Sequence, residues 1–381
     1  LSDSDRQSLI RAFTDKAGWG DSALEPLAGD ASTRRYVRLR RGARTAMLMD
    51  APPGAEAAPC PPDASPEARA KLGYNALARL AGPNAAAFAG LAGWLRAQGL
   101  SAPEIIAADL PQGLILMEDF GDALFAREMA RAPDTEAALY GAAIEALARL
   151  HDAAPPAEVA HDGGAWPILT YDAPAALAEA DLLLDWYAQH KGAEIDAAAR
   201  ESWTQAWMAA LSEAEGGKAL TLRDYHAENL IWLAQRHGAQ RAGLLDYQDA
   251  LAGHPAYDLV SLAEDARRDV SPATQAALLD QYLSEAAPAD RQAFRAAYAI
   301  WGAQRNAKIL GIFVRLALRD GKARYLDLLP RVARHFVRDL SHPALARSWG
   351  DRLRVLAGLA GAAGRAWRTG RLLAWLRGAA R

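Results

Sequence analysis

The segment TLRDYHAENLIWL, residues 221–233, sets Asp224, His226, Glu228 and Asn229 within six positions, just before a short apolar run. A second apolar run, AGLLDY, carries Asp246, and the polar turn between the two runs is the pattern of a β-hairpin. Asn229 opens the first strand and Asp246 closes the second, so strand pairing brings an amide oxygen and a carboxylate to one end. Such a pair suits a hard cation of the magnesium kind, which takes few protein oxygens and fills its remaining positions with phosphate oxygens. Asp224 adds a carboxylate able to accept a hydroxyl proton. A proton acceptor together with an Asn and an Asp for magnesium is the set that phosphoryl transfer requires. Taken singly, each of these residues is an ordinary turn former. The order D-x-H-x-x-N, strand, turn, strand, D-x-Q-D is what favours chemistry.

These residues need a scaffold, and 381 residues exceed one usual core, which predicts two lobes or domains. With 51% hydrophobic and 23% charged residues the composition is globular, and a net charge of −3 offers no global attraction to nucleic acid or membrane. One cysteine, Cys60, excludes an internal disulfide framework and suits a reducing, cytoplasmic compartment. LSDSDRQSLIRAF carries two early Asp and no long apolar core, so it does not read as a secretory signal. The longest apolar stretches, such as AAAFAGLAGWL, fall short of the roughly 18 residues a membrane span needs.

Residues 23–54 alternate short apolar and polar runs around Gly29 and Gly42, which predicts three strands joined by turns. The proline-rich stretch 51–69 reads as a loop, 66–81 and 84–98 have helical spacing, and EIIAADL and LILMEDF read as two further strands. From about 123 onward the pattern is helical, broken only by the hairpin. The expected architecture is α+β and bilobal. A small antiparallel-sheet N-lobe occupies 1–117, a large, mainly helical C-lobe with the catalytic loop occupies 118–343, and a basic helical tail occupies 344–381. That tail has eight Arg and one Asp with Trp349, Trp367 and Trp375, a composition suited to packing on the C-lobe or to touching an anionic membrane surface.

RDYHAENL followed by LLDYQDALAGHPAYDLVSL resembles the aminoglycoside phosphotransferase and choline kinase-like family, relatives of protein kinases. GDASTRRYVRLR, LMDAPP, LMEDFGD and QRNAKILGIFVRLALRDGKARYLDLLPRV extend the resemblance over about residues 20–343. They point within it to bacterial kinases of cell-wall recycling that phosphorylate N-acetylmuramate and N-acetylglucosamine at C1. The resemblance implies a protein-kinase-like fold, ATP and Mg²⁺ as cofactors and a small amino sugar as acceptor. It implies Asp224 as catalytic base, Asn229 and Asp246 as magnesium ligands, and Asp258 as the brace of the catalytic loop. A helix N-cap is the alternative role for Asp258. LMEDFGD would be the inter-lobe hinge, with backbone groups near Glu118 to Phe120 facing adenine. GDASTRRY would be the turn over the phosphates, where Gly29, Ser32 and Thr33 let backbone N–H groups approach an anion.

Two departures from the family pattern stand out. Leu222 takes the place of a His two residues before the catalytic Asp, and no Lys occurs between Lys16 and Lys71 to meet the ATP phosphates. Arg34 or Arg35 could supply that charge through a guanidinium fork, with Arg44 as a third candidate and a solvent-facing basic strand edge as the alternative. Arg305, Lys308 and Arg315 share a helical face and could meet the carboxylate of N-acetylmuramate, or form a solvated basic face. Other small acceptors (an aminoglycoside, choline or homoserine) and an inactive pseudokinase are the competing readings.

Overall fold

The computed structural model describes residues 3–27, 34–54, 59–216 and 218–349. Gly29, Ser32 and Thr33, expected at the nucleotide, lie outside the described residues, as does the expected tail from residue 350 onward.

Strands β1 (Ala23–Pro26), β2 (Arg35–Arg41), β3 (Arg44–Asp50), β4 (Ile105–Asp109) and β5 (Leu114–Met117) form one antiparallel sheet in the order β1-β2-β3-β5-β4. β6 (Glu158–His161) and β7 (Gly164–Pro167) form a hairpin, and β8 (Ala219–Thr221) leads into the 221–229 segment. β9 (Leu230–Trp232) and β10 (Ala242–Leu244) form the expected second hairpin, and β11 (Leu251–Gly253) follows. The β6–β7 hairpin and the short β8 and β11 break the helical run that the sequence pattern predicts from 123. The β6–β7 turn uses Asp162 and Gly163, both at positive φ (43° and 77°), the Asp-Gly signature of a two-residue hairpin turn.

The chain divides into two compact units, Leu1–Leu169 with Ala227–Leu251, and Thr170–His226 with Ala252–Arg381. In the first, helix α1 (Asp3–Lys16) packs Phe13 against Leu39, Ala46, Leu48, Leu114 and Leu116 of the sheet, with Trp19 in the same cluster. The alternation of β3 sends Ala46 and Leu48 to one face, the period-2 pattern of a half-buried strand. Arg6 Nε donates to Asp50 Oδ1 at 2.9 Å and ties α1 to the end of β3. Helices α2 (Pro66–Leu72), α3 (Tyr74–Leu77), α4 (Ala85–Ala97), α5 (Phe125–Arg131) and α6 (Glu136–Asp152) complete this unit. The Ser65 and Asn84 side chains accept from the third residues of α2 and α4, as N-caps do. The β9–β10 hairpin is anchored here, with Trp232 N donating to Ala123 O and Leu244 N to Ser101 O.

The second unit is helical: α7 (Ala173–Ala180) running into a π turn (Leu183–Ala188), then α8 (Ala197–Glu213), α9 (Ala256–Ala263), α10 (Pro272–Glu285), α11 (Arg291–Leu318), α12 (Leu329–Leu340) and α13 (Pro343–Trp349). Helix α11 is its axis, and every side chain from Ala299 to Leu310 is buried, including Gln304, Arg305, Asn306 and Lys308. A solvated basic face at Arg305 and Lys308 is therefore absent. Gly311 lets α11 meet the turn before the π segment, because a Cβ there would lie 2.2 Å from the Leu182 carbonyl. Gly311→Ala is expected to destabilise the protein by about 1–3 kcal/mol, the usual cost of overpacking. Urea unfolding checks this, and an unchanged midpoint would show that the two segments separate freely.

Candidate active site

In the first unit, antiparallel pairing sets Leu230 opposite Leu244, and Leu245 N donates to Asn229 O at 3.0 Å. Asn229 and Asp246 therefore leave the same end of the hairpin, as their spacing anticipates. Asp246 sits at φ 54°, a left-handed conformation uncommon for a residue with a side chain and worth about 1–3 kcal/mol of strain. Arg34 Nη2 donates to Asp246 Oδ1 at 2.8 Å and Gln248 Nε2 to the same oxygen at 3.1 Å. Both donors converge on Oδ1, and among the described residues none takes Oδ2. The Asp246 side chain is 39% exposed, so this donor set fits a divalent cation that keeps most of its shell for other oxygens. Arg34 is 10% exposed, whereas Arg35, the first residue of β2, faces solvent. Strand alternation explains the contrast between the two neighbours.

The 118–122 segment is fixed by side chains that the sequence pattern did not single out. Glu118 N donates to Glu104 O at 2.8 Å, and the Glu118 carboxylate pairs with Arg236. The Arg236 guanidinium lies 5.1 Å from the Phe120 ring centre, and that ring lies against Gly243, where a Cβ would come within 2.9 Å of it. Buried Arg38 meets Asp119 at 2.8 Å and Asp122 at 2.9 Å. The side chains of Glu118 and Phe120 are thus occupied in packing the segment. Arg38 is buried beside buried Leu39, on the opposite face of β2, so the alternation of RYVRLRR alone carried no signal for it.

In the second unit, the segment before Asp224 hangs from a buried carboxylate. Leu222 N donates to Asp258 Oδ2 at 2.6 Å and Arg223 N to Asp258 Oδ1 at 2.8 Å. Asp258 lies inside α9, which starts at Ala256, so it is a loop brace and not an N-cap. The N-cap residue is Pro255, and His254 Nδ1, one residue earlier, accepts from Ala256 N at 3.1 Å. Arg223 has φ 74° and is buried. Its guanidinium pairs with Glu179 and lies over the Tyr171 ring. Glu179, with no exposed surface, also takes Lys308 Nζ at 2.9 Å and the Tyr171 hydroxyl.

A family model for the phosphotransferase enzyme family matches residues 23–297. The chain belongs to that family. It is 49% identical over 352 residues to the N-acetylmuramate/N-acetylglucosamine kinase of Caulobacter vibrioides, an alignment covering 92% of this chain and 97% of that one. To the kinase of the same description from Pseudomonas aeruginosa it is 31% identical, over 84% of this chain and 85% of the other. Among solved structures, a choline/ethanolamine kinase family protein from Mesorhizobium loti superposes with TM-score 0.55 at 17% identity, covering 93% of this chain and all of that one. The GDP complex of aminoglycoside 2'-phosphotransferase-IIIa gives 0.54 at 13% identity, over 87% of this chain and all of that one. The fold is the protein-kinase-like α+β fold.

The electrostatics of this phosphotransferase centre on two acids of its second unit. Burial alone would raise the Asp224 carboxyl, but Lys308, His226, Arg305 and Arg223 outweigh it and hold the group below its ordinary value. Asp224 is therefore ionised throughout the neutral range. Burial likewise works to raise Glu179, and Arg223, Lys308 and the Tyr171 hydroxyl reverse the effect. Burial, reinforced by Arg267, pushes His226 down to about 4, and Arg267 Nη1 lies 3.0 Å from His226 Nε2. His226 is thus a neutral acceptor at pH 7. Nothing in the motif pattern marked Glu179; the available signal was a pair of acids, Glu179 and Asp181, inside the Ala/Leu-rich run APAALAEADLLL.

Two expected outcomes follow from these contacts. Glu179→Gln leaves Arg223 and Lys308 without a counter-charge and should cost roughly 3 kcal/mol at pH 7. Because the folded carboxyl titrates below its unfolded value near about 4.3, that gap is full above the unfolded value and closes as pH falls through the folded one. Chemical denaturation from pH 7 to pH 3 reads it, and a gap that widens in acid would contradict the pairing. The second outcome concerns the adjacent arginines: Arg34→Ala should weaken nucleotide binding at least about tenfold, and Arg35→Ala by less than about threefold. Equal effects in a nucleotide titration would show that the Arg34–Asp246 contact has no bearing on nucleotide binding.

Proposed function

We propose that this phosphotransferase moves the γ-phosphoryl group of ATP to the anomeric hydroxyl of N-acetylmuramate and N-acetylglucosamine. The near-full-length likeness to the Caulobacter kinase is the observation that carries the substrate class. The ionised Asp224, braced through Asp258, supports the chemistry. Asp224 accepts the proton of the attacking hydroxyl, and its depressed pKa keeps it in the accepting form at neutral pH. The ring oxygen withdraws electrons from C1, so the anomeric hydroxyl is more acidic than the other hydroxyls of the sugar and a weak base suffices. Leu222 is compatible with this role, since the loop is held by its backbone N–H groups and not by a side chain at that position.

Asn229 and Asp246 are the residues that would hold Mg²⁺, which neutralises charge on the phosphates when bound. Arg34 supplies the phosphate-gripping charge that a strand Lys gives elsewhere, with Gly29, Ser32 and Thr33 as the backbone cradle. Backbone groups of Glu118 to Phe120 receive the adenine, consistent with side chains engaged elsewhere. Incubation with ATP, Mg²⁺ and either sugar should yield ADP together with loss of the reducing-end signal and an acid-labile phosphate. In the same assay Asp224→Ala should lower kcat by roughly 10²–10⁴-fold. ADP formation with the reducing end intact would move the phosphate to another hydroxyl, and near-normal kcat in folded Asp224→Ala would remove the base.

A further inference from the structure

We propose that Arg305 reads the carboxylate of N-acetylmuramate and so sets the preference between the two sugars, an inference that rests on the substrate class proposed above. Arg305 lies on α11 within the buried stretch, with only 2% of its surface exposed. Its Nη1 is buried, and no oxygen of the described residues accepts from it. A buried guanidinium N–H without an acceptor among the described residues costs free energy, so the position is suited to receiving an anion. A planar carboxylate is the group a guanidinium grips in two parallel hydrogen bonds.

The neighbouring cations do not compete for this role. Lys308, one helical turn further on, is held by Glu179 at 2.9 Å and compensates a buried charge. Arg315 lies ten residues along the same helix, about 15 Å at about 1.5 Å per residue, and is only half-buried. Arg305 is also among the charges that hold Asp224 ionised, which places its field at the proton acceptor. The two sugars differ at C3, where N-acetylmuramate carries a lactyl ether ending in a carboxylate and N-acetylglucosamine carries a hydroxyl. C3 is two ring carbons from C1, so a cation close to the base but distinct from it is placed to meet that group.

A purely electrostatic role on Asp224 would affect both sugars alike, and the ratio of their kcat/KM values separates the two roles. In Arg305→Met the ratio for N-acetylmuramate over N-acetylglucosamine should fall about 30-fold or more, through a raised KM for N-acetylmuramate, and Arg305→Lys should restore part of it. A ratio within about threefold of wild type overturns the inference. A parallel measurement needs no variant: the wild-type enzyme should prefer N-acetylmuramate over its uncharged lactyl amide by a similar factor, and equal kcat/KM for acid and amide overturns it too. Wild-type enzyme that turns over neither sugar overturns the functional reading, and this inference with it. Wild-type enzyme active on both sugars, with an unmoved ratio in the variant, overturns only the role of Arg305.

Discussion

Glu179 has no contact with solvent, yet four polar groups reach it from different parts of the second unit: the Arg223 guanidinium, the Lys308 ammonium, the Tyr171 hydroxyl and the Gln304 amide. An ionised carboxylate in such a place is tolerable only while its partners stay. The same is true of the partners, so α7, α11 and the residue before Asp224 are bound into one charge-compensated cluster. The cluster also decides what Lys308 is for. Its pKa is raised despite burial, chiefly by Glu179, and it acts as a fixed counter-ion. Asp224 inherits its electrostatic setting from this arrangement, since Lys308 and Arg223 both contribute to keeping it ionised.

Backbone strain marks one residue with a side chain in each unit's candidate segment. Arg223 and Asp246 are both left-handed residues with side chains. Each is held by contacts specific enough to over-determine it: Asp258 and Glu179 for Arg223, Arg34 and Gln248 for Asp246. Strain of this kind persists only where surrounding contacts outweigh it, which is why it concentrates at functional segments. Phe88 stacked on Tyr247, with ring centres 4.8 Å apart, adds a further anchor directly after Asp246.

Much of the candidate site was legible because it is local. Asn229 and Asp246 belong to two strands joined by a short turn, and period-2 alternation with a polar turn fixes which residues share an end. The five-stranded sheet followed from the same alternation. The β6–β7 hairpin escaped notice because its strands are four residues each and embedded in helical spacing, although the Asp-Gly pair at its turn was a usable sign. The role of Asp258 was left open between brace and cap. A helix start cannot be placed to within two residues by pattern, and that shift decides whether the carboxylate serves its own helix or the loop.

The sequence by itself determined the phosphotransferase family, the antiparallel sheet, the hairpin and the order of the acids and amide along the chain. Only the tertiary structure decided which of Arg34 and Arg35 turns toward Asp246, that Lys308 is held by a buried glutamate, and that Arg305 Nη1 is buried with no acceptor among the described residues. The reason is the range of the interactions. Alternation and helical spacing arise from neighbours a few residues apart and leave a period in the sequence. The Arg223–Glu179 pair spans 44 residues and the Arg34–Asp246 pair 212, and contacts closed over such distances leave no period to read.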